Sequence, residues 1–131
     1  KLAVKLFDYI HSVDSKKLAK KIADEQIKIN KKIKIFIQVN IGQESQKSGV
    51  NKNELNQLIP FCNQIDLDVI GLMCIPPADI NSSTFFKEMA LINNSFGLSE
   101  LSMGMSSDYL DASKNFSTYL RIGTSIFGDR F

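Results

Sequence analysis

A chain of 131 residues with 44% apolar and 23% charged side chains has the size and make-up of one soluble globular domain with its own core. Sixteen basic side chains against 14 acidic ones leave a net charge of +2, too even a balance to mark a nucleic-acid surface, and no apolar run reaches membrane-spanning length. These features predict a cytoplasmic protein that meets neither nucleic acid nor membrane, with Cys62 and Cys74 as buried thiols in a reducing compartment and no metal-ligand spacing around them.

The hydrophobic period changes repeatedly along the chain. Phe7 to Val13 is a short aromatic and β-branched run, which predicts a strand. Asp14 or Ser15 then caps a helix whose inner face is Leu18, Ala19, Ile22, Ala23 and Gln26, with Lys16, Lys17, Lys20 and Lys21 on its wet side. Ile33 to Asn40 reads as a second strand, apolar enough to be covered on both faces. Asn51 or Asn53 starts a helix that turns Leu55, Leu58, Ile59 and Cys62 inward, and Pro60 should kink or shorten it. Leu67 to Cys74 is a third strand, stopped by Pro76 and Pro77. Ser82 or Ser83 opens a helix carrying Phe86, Met89, Ala90 and Ile92 or Asn93. Leu101 to Met103 makes a fourth strand, Ser106 caps a short helix through Ala112, and Tyr119 to Ile122 is the fifth strand.

Strand and helix alternating in this way predict an α/β fold of five parallel strands in a single domain over residues 1–131. Periodicity leaves two architectures open, an open doubly wound sheet and a piece of an eight-stranded TIM-type barrel.

In either architecture ligands bind beyond the carboxyl ends of the strands, so the residues there are the candidates. They are His11 after the first strand, Asn40 and a loop ending Lys47-Ser48-Gly49 after the second, and Met73 after the third. Gly104-Met105-Ser106 follows the fourth, and Arg121, Gly123 and Thr124 belong to the fifth. A helix opening at Ser106 would turn free N–H groups and a hydroxyl toward an anion, although Ser106 serves equally as a plain N-cap. Gly123 allows a close backbone approach or simply a turn. Arg121, alone in an apolar strand, needs an anion or acceptor beside it. His11 is the only histidine and has no sequence neighbour of a catalytic pairing, and the methionines read first as packing.

Taken together, Ile10-His11-Ser12-Val13-Asp14, Gln38-Val39-Asn40-Ile41, Lys47-Ser48-Gly49, Gly71-Leu72-Met73, Leu101 through Ser106 and Leu120 through Gly128 resemble the pyridoxal-phosphate homeostasis proteins. These are single-domain barrels similar to the N-terminal barrel of alanine racemases. The resemblance runs from end to end of the chain and implies a partial (β/α)8 barrel, with these strands as numbers four to eight. It implies that Ser106, Gly123 and Thr124 hold the cofactor phosphate, with Met105, Asn40 and His11 as further neighbours. Arg121 would face the pyridine nitrogen, where, unlike a carboxylate, it leaves that nitrogen unprotonated and the ring a weaker electron sink.

Phe116 stands where the family has a glycine, and Asn115 is the residue able to end the helix there. The Schiff-base lysine of the family lies on its first strand. Lys5 superficially resembles it, but only five residues separate Lys5 from His11, with no room for two βα units, so register makes Lys5 a helix residue. The implied function is pyridoxal phosphate binding, non-covalent and without catalysis. The alternatives are a fragment of a racemase- or decarboxylase-type barrel and a module for another phosphorylated ligand. Two open sheet edges, and an inward face of Ile, Val, Met and Leu, would then call for a homodimer or higher oligomer.

Overall fold

The computed structural model describes residues 2–44, 48–77, 82–105, 108–114 and 117–121. The expectations at Lys47, Ser106, Asn115, Phe116 and residues 122–128, Gly123 and Thr124 among them, lie outside that set.

The chain opens with α1 (Leu2–Leu6), so Lys5 is helical as its register requires. There follow β1 (Tyr9–Val13), α2 (Lys16–Ile29), β2 (Lys34–Val39), a single 3-10 turn (Lys52–Glu54), α3 (Leu55–Gln64) and β3 (Asp68–Cys74). The rest is α4 (Ser82–Ser95), β4 (Glu100–Met105), α5 (Tyr109–Lys114) and β5 (Tyr119–Arg121). Ser15, not Asp14, caps α2, accepting from the backbone N–H of Leu18 at 3.1 Å. Asn30 ends that helix in the left-handed region at φ 51°. In α3 the buried residues are Leu55, Leu58, Ile59 and Cys62, the face that helical spacing picks out. Pro60 does not shorten it, for four residues of helix follow; Pro60 sits on the exposed side.

All neighbouring strands are parallel, in the order β1-β2-β3-β4-β5. That order decides between the two architectures, because a doubly wound sheet reverses its strand order at a switch point and a barrel does not. The sheet is a curled half-barrel. One face carries Ile35, Ile37, Val39, Leu72, Cys74, Leu101 and Met103, which join α2, α3 and α4 side chains such as Ile22, Leu58, Phe86 and Met89 in one apolar core. Gln26 and Asn93 are the polar residues buried among them, and each serves the backbone. Gln26 Oε1 accepts from Ile33 N at 2.6 Å, and Asn93 Oδ1 from Leu72 N at 3.1 Å.

The curl depends on close strand approach and on local irregularity. A Cβ on Gly71 would lie 1.9 Å from the carbonyl oxygen of Glu100, so β3 and β4 meet at a position only glycine can occupy. Three strands each carry an extra residue relative to a neighbour: β1 between Ile10 and Val13, β3 between Val69 and Gly71, and β4 between Ser102 and Met105.

The fourth strand and the helix after it differ from expectation. β4 runs on through Met105, and α5 begins at Tyr109, three residues beyond Ser106. Gly104, at φ 101°, takes up the irregularity that lets the strand continue. Asp108 then stands at the head of α5, its carbonyl accepting from Ala112 N and its Oδ1 from Met105 N at 2.7 Å.

Candidate functional site on the concave face

Pleating sends alternate side chains to the inner side of the curl. The strands place Tyr9, His11, Phe36, Gln38, Met73, Ser102 and Tyr119 there, the partners in register being Gln38 with Met73, Met73 with Ser102 and Ser102 with Tyr119. Among the described residues the expected inward face of Ile, Val and Leu gives way, since Ile35, Ile37, Val39, Leu72 and Leu101 belong to the core on the other face. Those side chains point to the helices, and the inner face is aromatic and polar, with Met73 its buried methionine.

His11 is the hub of this face. Its Nδ1 shares a 2.7 Å hydrogen bond with Ser102 Oγ, which joins β1 to β4 across the curl. Its ring lies 4.2 Å from that of Phe36, tilted by 31°, and 5.6 Å from Tyr119, edge-on at 85°. Phe36 and Tyr119 meet at 5.1 Å and 76°, and Tyr9 approaches Tyr119 at 5.7 Å. Such edge-to-face geometries are those favoured by aromatic quadrupoles. Tyr119's phenol is raised above its ordinary value, first by a hydrogen bond with Tyr9, then by burial and by the nearby Tyr9 and Glu100 charges. Lys34 lies over the Tyr9 ring at 5.7 Å, so the amino ends of the first two strands are tied by a cation–π contact.

Toward the carboxyl ends the candidates separate. Met105, the last residue of β4 and exposed, is in register with Arg121 of β5, so the backbone brings these two candidates side by side. Asn40 is occupied locally. Its Nδ2 donates to Glu44 O at 2.6 Å and its Oδ1 accepts from Glu44 N at 3.1 Å, which closes the loop after β2. The same loop returns along β2, with Asn40 N donating to Val50 O at 2.9 Å. Gly49, at φ 115°, must be glycine there, because a Cβ would lie 2.6 Å from Asn40 N. Its N–H reaches Asp14 Oδ2 at 3.1 Å, so Asp14 joins the loops after β1 and β2 instead of capping a helix.

Sequence reading missed Ser102, Phe36, Tyr119 and Asp108. Ser102 carries a visible signal, a hydroxyl between Leu101 and Met103, and Asp108 follows the Gly104 motif closely. Phe36 and Tyr119 give none, since their roles depend on strands distant in sequence. Among the described residues no group of three or more His, Cys, Asp or Glu could hold a metal ion. No helix among them is long and apolar enough to cross a membrane.

A parallel half-barrel with its strands in consecutive order is the architecture of a known barrel class, and comparison agrees. Residues 1–131 match the family described as alanine racemase, N-terminal domain, and the chain belongs to that family. It is 34% identical over 139 residues to a pyridoxal phosphate homeostasis protein of Vibrio alginolyticus, an alignment spanning 99% of this chain and 60% of that protein. With the protein of the same name in Aquifex aeolicus it shares 35% identity over 131 residues, 92% of this chain and 58% of that one. The structure of PipY from Synechococcus elongatus PCC7942 with pyridoxal phosphate bound superposes with a TM-score of 0.87 at 31% identity, covering 96% of this chain and 63% of PipY. An alanine racemase of Clostridium difficile, 20% identical with a TM-score of 0.67, shares the fold. The chain thus spans about three fifths of the length of the curated relatives it matches.

Proposed function

We propose that this chain binds pyridoxal phosphate without a covalent bond and without catalysis, as part of a cytoplasmic pyridoxal phosphate homeostasis protein. The observation that carries this reading is the half-barrel itself, with Met105 and Arg121 in register at the carboxyl ends of its last two described strands. The described residues suit the flat ring of that cofactor: Phe36 and His11 form an aromatic floor at mid-sheet, beneath Gln38 and Met73. In this reading Arg121 faces the pyridine nitrogen, while Ser106, Gly123 and Thr124 hold the phosphate. The relatives' names and the PipY complex support it.

When bound, the cofactor supplies an aldehyde that amines attack. In this reading no lysine of these 131 residues takes the family's covalent position; that Lys5 lies in α1 supports it. Pyridoxal phosphate should therefore change its absorbance on mixing with the chain and be displaced by inorganic phosphate. Borohydride treatment followed by mass spectrometry should show no stoichiometric adduct. An unchanged spectrum would refute binding, and a stoichiometric adduct on Lys5 would refute the register. Lys47, in the loop after β2, is the residue on which a minor adduct would form.

The chain also pairs with a second copy. β1 is the outermost of the described strands, and Leu6 and Phe7 just before it are 64% and 57% exposed, an apolar margin that a two-fold partner would bury. Light scattering at low micromolar concentration should give the mass of a dimer; a cooperative monomer would refute it.

A further inference from the structure

A closed barrel keeps its curvature because backbone pairing runs all the way round. Among the described residues β1 and β5 are the outermost strands, and the side chains of β1 touch those of β4 and β5 across the hollow. His11 with Ser102, and Tyr119 with His11 and Tyr9, make the crossing. Ser102 is fully buried, and a buried hydroxyl needs a partner, which His11 supplies at 2.7 Å. The ring of Tyr119 stands edge-on to both His11 and Phe36 and so wedges β5 against the two strands farthest from it. On its other side β5 is fastened to β4: Thr118 Oγ1 accepts from Leu101 N at 2.8 Å, and Ser117 Oγ donates to Met103 O at 2.6 Å. The fifth strand is thus anchored along one side by its neighbour and across the hollow by rings.

We propose that Ser102 and Tyr119 are positioning residues, which lock the His11 ring across the concave face and so fix the separation of the first and fifth strands. The rim formed by Met105 and Arg121 begins two residues beyond Tyr119, so its spacing from the ends of β1 and β2 follows from this clasp. The clasp rests on the pyridoxal phosphate reading for the rim's occupant alone, not for its geometry.

Spin labels on Ser12→Cys and Leu120→Cys report the separation directly, for both residues are exposed and lie on the two end strands. The native thiols stay unlabelled, since Cys62 and Cys74 are buried and burial pushes Cys62 up to about 11. The labelled chain should give one narrow distance. Ser102→Ala should move it to a longer and broader distribution and weaken pyridoxal phosphate binding by about five- to tenfold, the loss of one hydrogen bond. Tyr119→Ala should widen it further, and Tyr119→Phe, which keeps the ring, should restore the parent distance. Far-ultraviolet circular dichroism monitors folding, and Ser102→Ala, which removes a single oxygen, decides the matter if Tyr119→Ala does not fold. An unchanged distance in Ser102→Ala overturns the clasp, as does a Tyr119→Phe distance as wide as that of Tyr119→Ala. If the labelled parent binds no pyridoxal phosphate, the ligand reading fails, and the distances still decide the clasp.

Discussion

The two faces of this sheet are made from the same strands and do opposite things. The helix side is a dry layer in which Ile35, Ile37, Leu72 and Phe86 are fully buried. Its two buried amides serve backbone N–H groups and leave nothing over. The concave side is held by rings at 4.2 to 5.7 Å and by hydrogen bonds that join His11 to Ser102 and Tyr9 to Tyr119 across the curl. Stability therefore resides on the helix side, and the inner side is free to carry polar and aromatic groups that a ligand can use.

That division can be broken most forcefully at Phe86. Phe86→Ala opens a cavity in the dry layer and should cost about 3–5 kcal/mol in urea unfolding; a smaller loss would mean that the helix side is less tightly built than its burial indicates. Next comes Asn93→Ala, which strands the Leu72 N–H inside the core and should cost about 1–3 kcal/mol. On the inner face, Ser102→Ala should cost about 1 kcal/mol in the same measurement, and a cost equal to that of Phe86→Ala would erase the distinction between the faces. Smallest is Lys20→Ala on the outside of α2. Its partner Asp24 lies 3.5 Å away with both side chains more than half exposed, so the loss should change the unfolding free energy by less than about 0.5 kcal/mol.

The helix side was legible in the sequence because helical spacing is local. Leu55, Leu58, Ile59 and Cys62 mark their face within eight residues of chain, and the inner line of α2 from Ala19 to Gln26 does the same. The order of strands and helices was legible for the same reason. The concave face was not. Tyr119 meets Tyr9, and His11 meets Ser102, 91 positions later, only after the sheet has curled. Where strand alternation was informative it was interrupted by the extra residues in β1, β3 and β4, so an apolar run such as Leu67 to Cys74 could not be divided between faces by counting. The start of α5 escaped for a related reason: glycine at 104 prolongs a strand where Gly-Met-Ser reads as a turn into helix.

Gly104 also bears on how this chain should be aligned with its relatives. Between Ser102 and Met105 the fourth strand advances three residues while the fifth, from Tyr119 to Arg121, advances two. Lose that extra residue and Ser102 to Met105 would step two positions, as Tyr119 to Arg121 does, so that Met105 would still lie opposite Arg121. A one-residue change in a regular part of the strand, by contrast, would act as a frameshift acts on a reading frame, exchanging lining for core at every later position. A gap placed at residue 104 in an alignment thus amounts to a claim about whether the strand bends there, and a gap elsewhere in β4 to a claim about which side the next side chain faces.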